Sequence, residues 1–244
     1  NVFEGGGGDD TVNIESLSGA LNISLDVSNS ANVDIALSNI ETLQALDAGH
    51  ALTGDNVVNT WNITGVNDGE LSYNSGAGAQ TLAFTNMAHL KGGTSQDIFQ
   101  LSGAGNITGT INGGGELANP DGVEVLNSST GSFVFHVTTV DGDSRAVDTS
   151  AERIDLYDIE QLQAVNSQSH ILMGAEETEN TWQVAATGGT LSNSDRSLQF
   201  SGIDNLTGGN QQDSFTFNGA VVSGLVDGGS HVDGAEDTVT LKNL

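Results

Sequence analysis

Cysteine is absent from this chain, proline occurs once, and 5 Lys plus Arg stand against 32 Asp plus Glu in 244 residues. Each shortage removes a class of protein. Without cysteine there is no disulfide framework and no structural thiolate metal site, a composition compatible with secretion routes that do not rely on disulfides. A single proline excludes a proline-rich linker. With so few cations the net charge is −27, which repels nucleic acid, anionic lipid and acidic polysaccharide but suits divalent cations. Aromatics make up only 5%, so a core must be assembled from many small aliphatic contributions. No apolar run reaches the roughly 18 residues of a membrane-spanning helix. The chain starts without an initiator Met or a signal-like segment, on "NVFEGGGGDD". That stretch falls inside a repeat, so the sequence reads as an excised piece of a longer protein.

What is present is repetition. "LKGGTSQDIFQLSG" from Leu90 returns as "LTGGNQQDSFTFNG" from Leu206. Its grammar is an Asp or Asn anchor followed by apolar residues two and four positions on. That grammar recurs at Asp10, Asn59, Asp97, Asp121, Asn180, Asp213 and Asp237. Five of these anchors follow a double glycine: Gly5-Gly6, Gly92-Gly93, Gly113-Gly114, Gly208-Gly209 and Gly228-Gly229. The two Asn anchors, each two residues before a Trp, follow a single glycine, Gly54 or Gly174. Successive anchors are 49, 38 and 24 residues apart, then 59, 33 and 24. "NIETLQAL" from Asn39 likewise returns as "DIEQLQAV" from Asp158. The organisation is one continuous segment with long repeats over 1–112 and 113–227 and the start of a third at 228–244.

Within each repeat, short runs such as "TWNI", "TLAF" and "DIFQL" alternate apolar and polar residues, the period of a strand. Gly, Asn, Asp and Ser separate them as turns. No helical stripe of useful length appears; even "SAERIDLYDIEQLQAV" from Ser150 has a partner, "NVDIALSNIETLQAL", that alternates as two strands. A 24-residue step, with 38 read as two units, predicts a parallel β-solenoid of about eleven short, right-handed coils spaced about 4.8 Å apart. The alternative is tandem β-sandwich repeats, which explain the long period but not the shorter one.

"LTGGNQQDSFTFNG" and "VVSGLVDGGSHVDGAEDTVTL" together resemble repeats of large secreted bacterial surface proteins: filamentous-haemagglutinin-like adhesins and glycine- and aspartate-rich calcium-repeat exoproteins. "GGGGDDTVN" from Gly5 fits the nonapeptide Gly-Gly-x-Gly-x-Asp-x-apolar-x of the latter. "GGTSQDIFQ" and "GGNQQDSFT" lack its third glycine, and no two nonapeptides are tandem. The resemblance implies an extracellular, rod-like, non-catalytic segment that spaces or presents adhesive domains. A host or cell-surface receptor or glycan would then be met through other parts of the parent protein.

Calcium is the sharpest ligand hypothesis, since hard cations take carboxylate and carbonyl oxygens. Asp97 with Asn112 and Asp121, and Asp213 with Asp227 and Asp237, could converge from stacked turns; Asp10 is a weaker member. The competing reading is that each Asp braces its own turn by accepting backbone N–H groups. Asn59 and Asn180 favour it, because Asn keeps a turn bond but is a poorer metal ligand. No cofactor is required by any motif. "DGDS" from Asp141 and "GAEETEN" from Gly174 read as solvated turns. Trp61 and Trp182 occupy the register of Phe99 and Phe215, so core packing is expected over sugar stacking. His50 and His170 read as loop residues, and the five His share no metal spacing. Lys91, Arg145, Arg153, Arg196 and Lys242 are too scattered to neutralise an acidic sugar. With no nucleophile elbow, phosphate loop or zinc motif either, no enzyme is expected. A third reading is direct glycan or protein binding on a flat face of the solenoid.

Overall fold

The computed structural model describes residues 1–15, 20–26, 33–47, 49–76, 78–115, 120–128 (backbone only from 124), 132–139, 153–165, 168–220, 222–231, 234 and 236–243. "DGDS" and Arg145 lie outside them.

Alternating sequence becomes alternating strand: "NTWQVA" over Asn180–Ala185 places Asn180, Trp182 and Val184 inward and exposes the residues between. Every regular element among the described residues is a strand, and they form two sheets. The first contains β1 (Val2–Glu4), β3 (Asn22–Ser24), β4 (Ile35–Ser38), β6 (His50–Thr53), β10 (Met87–Lys91), β12 (Thr110–Asn112), β14 (Val134–Val137), β15 (Arg153–Tyr157), β17 (Ile171–Met173), β21 (Asn205–Thr207) and β23 (Val226–Asp227). The second contains β2 (Thr11–Ile14), β5 (Thr42–Ala45), β7 (Asn59–Gly65), β8 (Asp68–Ser75), β9 (Gly78–Thr85), β11 (Asp97–Gly103), β13 (Gly122–Ser128), β16 (Gln161–Ala164), β18 (Asn180–Ala185), β19 (Gly188–Ser192), β20 (Ser197–Ser201), β22 (Asp213–Asn218) and β24 (Thr238–Lys242).

All pairings of the eleven-stranded sheet are parallel, in the order β1-β4-β3-β6-β10-β12-β15-β14-β17-β21-β23. The order of β12–β22 copies that of β1–β11, and β23 takes the place of β1. In both halves one strand is out of sequence: β3 sits beyond β4, and β14 beyond β15. The apolar ladder steps by two residues there. Ile111 meets Leu156, but it is Ile154 that meets Phe135. From Phe135 the ladder runs on through Leu172 and Leu206 to Val226.

The thirteen-stranded sheet is parallel except for two antiparallel meanders, β7-β8-β9 and β18-β19-β20. This corrects the reading of the 38-residue step as two parallel coils. Asn59 and Asp97 are direct neighbours, and the extra residues are spent on a meander turned by Asn67 at φ 61°. Alternation of period 2 is the same for parallel and antiparallel strands, so the pattern could not separate them. The first sheet, parallel without a break through both repeats, also has no counterpart in sandwich domains, whose sheets are antiparallel.

Apolar side chains from both sheets form one buried cluster running the length of the structure. Trp61 stacks on Phe99 at 5.3 Å and meets Phe84 edge-on at 6.0 Å. Trp182 repeats this with Phe215 at 5.4 Å and Phe200 at 6.1 Å. Both Trp are fully buried, which is core packing and leaves no face for a sugar. The Phe84 and Phe200 rings lie against Gly69 and Gly189, where a Cβ would strike them.

Candidate functional site

The anchors stack into one corner of the structure, where each glycine run enters the second sheet. The paired glycines have a packing cause. A Cβ on Gly92 would strike the Gly113 carbonyl and the Asp97 carboxylate, and one on Gly93 would strike the Asp55 carbonyl. Gly208 and Gly209 are enclosed in the same way by Gly228, Asp213 and Ala175. Only glycine lets successive layers approach this closely. Gly92→Ala is expected to destabilise by about 1–3 kcal/mol. Gly7→Ala, at a position with nothing within 4 Å, should change stability by less than about 0.5 kcal/mol. Equal urea midpoints for the two variants would refute this packing account.

Asp97 and Asp213 are fully buried. Asp97 Oδ2 accepts from the Gly93 N–H (2.8 Å), and Oδ1 accepts from the Asn59 amide (2.6 Å). Asp213 Oδ2 accepts from the Gly209 N–H (2.6 Å), and Oδ1 from the Asn180 amide and N–H (both 2.8 Å). The ladder continues to the next layer. Asp97 N–H donates to Asp121 Oδ1 (2.6 Å), Asp121 N–H to Glu160 Oε2 (3.0 Å), and Asp213 N–H to Asp237 Oδ1 (2.9 Å). Asp10 N–H donates to Glu41 Oε2 (2.7 Å), so "NIE" and "DIE" supply equivalent acceptors. The Gln before each repeated Asp also reaches across: Gln96 donates to the Pro120 carbonyl and Gln212 to that of Glu236.

The two proposed triplets are thus only partly convergent. Asp97 and Asp121 touch through a backbone N–H, as do Asp213 and Asp237. Asn112 and Asp227 instead turn to their own corners, accepting from the Gly114 N–H (2.8 Å) and the Gly229 N–H (3.0 Å). Among the described residues no three His, Asp or Glu groups are arranged to hold a metal ion. These bonds are turn braces, extended from within each turn to the turn above. Burial, which outweighs its hydrogen bonds from Asn180 and Gly209, raises the Asp213 carboxyl above its usual range, and the nearby Asp237 charge adds to the rise.

The Asn anchors have a role of their own. Asn59 Nδ2 donates to the Asp55 and Val57 carbonyls as well as to Asp97. Asn180 Nδ2 donates to the Ala175 and Thr178 carbonyls and to Asp213. Asn begins each stack, where its amide can donate to the first buried carboxylate above it as an Asp could not.

His170 lies in the loop before β17, as expected, whereas His50 opens β6; both are buried at equivalent places. His50 Nδ1 accepts the Leu21 N–H (3.1 Å) and His170 Nδ1 the Phe133 N–H (3.0 Å). They cap the entry to the out-of-sequence strands β3 and β14, a tertiary role with no local signature. Burial lowers the His170 pKa, against a smaller opposing effect of Asp204. A His with a lowered folded pKa contributes stability above its unfolded value near 6.5 that is lost as pH falls toward the folded value. Wild-type protein should therefore lose more stability than His170→Gln between pH 7 and pH 5 in urea melts. Parallel losses would contradict it.

Sequence reasoning also missed a polar cluster on the first sheet. Asp155 Oδ1 lies 2.9 Å from His136 Nδ1 and 2.8 Å from Arg153 Nε. Burial raises the Asp155 pKa, but bonds and charge from His136 and Arg153 outweigh it and hold the carboxyl below its usual range. Register brings these residues together across β14 and β15. The corresponding positions in the first repeat are Ser24, Ala36 and Asp34, so the repeat pattern could not announce the cluster. Arg196 bonds Asp158 and covers the Tyr157 ring at 3.9 Å.

An open groove of about 530 Å³ lies over the second meander, with Gln161, Gln163, Gln183, Gln199, Thr190 and Asn218 among its lining. No charged side chain lines it.

No family model, curated protein or solved structure matches this chain.

Proposed function

We propose that the two sheets close into a right-handed β-solenoid that serves as a rod-like, non-catalytic segment of a large secreted bacterial adhesin at the cell surface. It holds adhesive domains at a distance, and receptor or glycan contacts are made by other parts of the parent protein. The observation that carries this reading is the continuity of the corner. Glycine, anchor and core ladders pass from layer to layer with hydrogen bonds between layers and one apolar cluster beneath them. A load along the stack is then spread over repeated, equivalent bonds. The absence of cysteine and the charge of −27 suit a long surface that must remain unaggregated. Eleven layers at about 4.8 Å give a body about 50 Å long. Small-angle scattering should report an elongated particle of that length, and two linked beads would refute the reading.

A calcium-stabilised version of the same rod is the second reading, supported by the buried carboxylates Asp97 and Asp213 and their links to Asp121 and Asp237 in the next layer. If calcium binds the folded corner, chelator must lower the melting temperature; identical melts in calcium and in chelator would remove this version. The uncharged groove over the second meander supports a third reading, direct binding of a neutral glycan, and a blank glycan array would count against it.

A further inference from the structure

The second meander and its neighbour lie side by side in the order β16-β20-β19-β18. Their outward residues fall into rows that cross the strands. One row is Gln161–Gln199–Thr190–Gln183, each residue the register partner of the next. The three Gln are exposed and Thr190 is half-buried. The row beside it holds small residues: Ser201 partners Gln163, and Gly188 partners Ala185. Large amides beside small residues leave a trough, and both rows line the open groove of about 530 Å³. The groove therefore crosses the strands and follows the stack.

The first repeat shows that the fold does not require this strip. The same register there reads Thr42–Ala83–Glu70–Asn62. Thr85 stands where Ser201 stands, and Asp68 where Gly188 stands. One carboxylate in the row and one in the trough are thus exchanged, in the second repeat, for a hydroxyl and for a bare glycine. Three glutamines then carry amides on three of its four strands. A face that served only to keep an acidic rod in solution would gain nothing from losing these charges.

We propose that this groove binds a linear, neutral, β-1,4-linked polysaccharide chain laid across the strands, so that successive sugar rings meet successive rungs, a proposal that rests on the neutral-glycan reading of the groove. Spacing selects the chain. Rungs are about 4.8 Å apart, and an extended β-1,4 chain advances by one pyranose ring over nearly that distance. Four strands then meet about three to four rings. A peptide strand crossing in the same direction falls out of step, because its side chains return to one face only every ~6.8 Å. An α-1,4 chain curls away from a straight row. Chemistry selects neutral sugar. A Gln amide offers two donor hydrogens and an acceptor, and a hydroxyl is both donor and acceptor, so ring hydroxyls are paired without any charge. The net charge of −27 repels chains that carry carboxylate or sulfate.

Calorimetric titration with β-1,4-linked glucose and mannose oligosaccharides tests the proposal. Affinity for at least one series should climb from the disaccharide to about the tetrasaccharide, the length that fills four rungs, and then level off. The α-1,4-linked glucose hexasaccharide should bind at least about tenfold more weakly than its β-1,4 counterpart. Thr190→Glu installs the residue that the first repeat carries in this register, and its unpaired carboxylate should weaken binding at least about tenfold. Gln199→Ala trims one exposed amide and should weaken it about three- to tenfold. Gln199→Ala decides the matter if Thr190→Glu lowers the urea midpoint. No binding of either β-1,4 series, equal binding of the α-1,4 chain, or wild-type affinity in Gln199→Ala would each overturn the proposal. Capture of short or branched neutral glycans with no dependence on chain length would also overturn it, while leaving the neutral-glycan reading in place. A blank glycan array removes both.

Discussion

Trp182→Ala should lower the unfolding free energy by about 3–5 kcal/mol, the range for deleting a large buried aromatic. Trp182 is fully buried, stacks on Phe215 at 5.4 Å with the planes 10° apart, and receives the edge of Phe200. Its loss empties the space between β18 and β22, which the neighbouring ladder cannot refill. Gly189, over which Phe200 lies, offers no side chain to move in. The indole N–H finds no hydrogen-bond partner among the described residues. Trp182→Phe therefore loses area but no bond, and should cost clearly less than Trp182→Ala. Chemical denaturation of both variants tests the point. Equal losses would mean that the N–H, not the packed ring, is what the site requires. Trp61, with the same neighbours one repeat earlier, should behave alike.

Asn180→Asp, nearly isosteric, should cost about 3–5 kcal/mol at neutral pH, the scale of an uncompensated buried charge. The amide donates to two carbonyls and to Asp213, all of which an ionised carboxylate would repel. Asp213 already has a raised pKa, and a second carboxylate beside it must raise the pKa of the pair further. A carboxyl whose folded pKa lies above its unfolded value destabilises when ionised, and the penalty fades as pH falls through the folded value. The deficit of the variant relative to wild type should thus shrink between pH 7 and pH 5 in urea melts. A deficit independent of pH would show that shape, not charge, sets the residue at this corner.

These two residues mark how far the sequence could be read. The register of Trp182 with Phe215 was legible because anchors and apolar positions recur at fixed offsets, and both fall on inward faces of neighbouring strands. The anchor was legible as a turn brace because Asn and Asp alternate there. That Asn180 donates to the carboxylate of the next layer was not, since the partner lies 33 residues away. "NVDIALSNIETLQAL" was legible as two strands, β4 and β5, with Asn39 turning between them at φ 50°. The meanders were misread because side-chain alternation carries no information on strand direction. The burial of His50 and His170 was not legible, because a buried acceptor for a distant N–H has no local pattern.

The sequence by itself determined the strands, their inward faces, the glycine corners and the recurrence of the whole set, because these follow from local periodicity and backbone sterics repeated in one dimension. Only the tertiary structure decided which strand lies beside which. The out-of-sequence β3 and β14, the antiparallel meanders, and the cluster of His136, Asp155 and Arg153 all depend on register between segments far apart in the chain. That choice is made by packing and hydrogen bonding between layers, for which the order of residues along one layer leaves no mark.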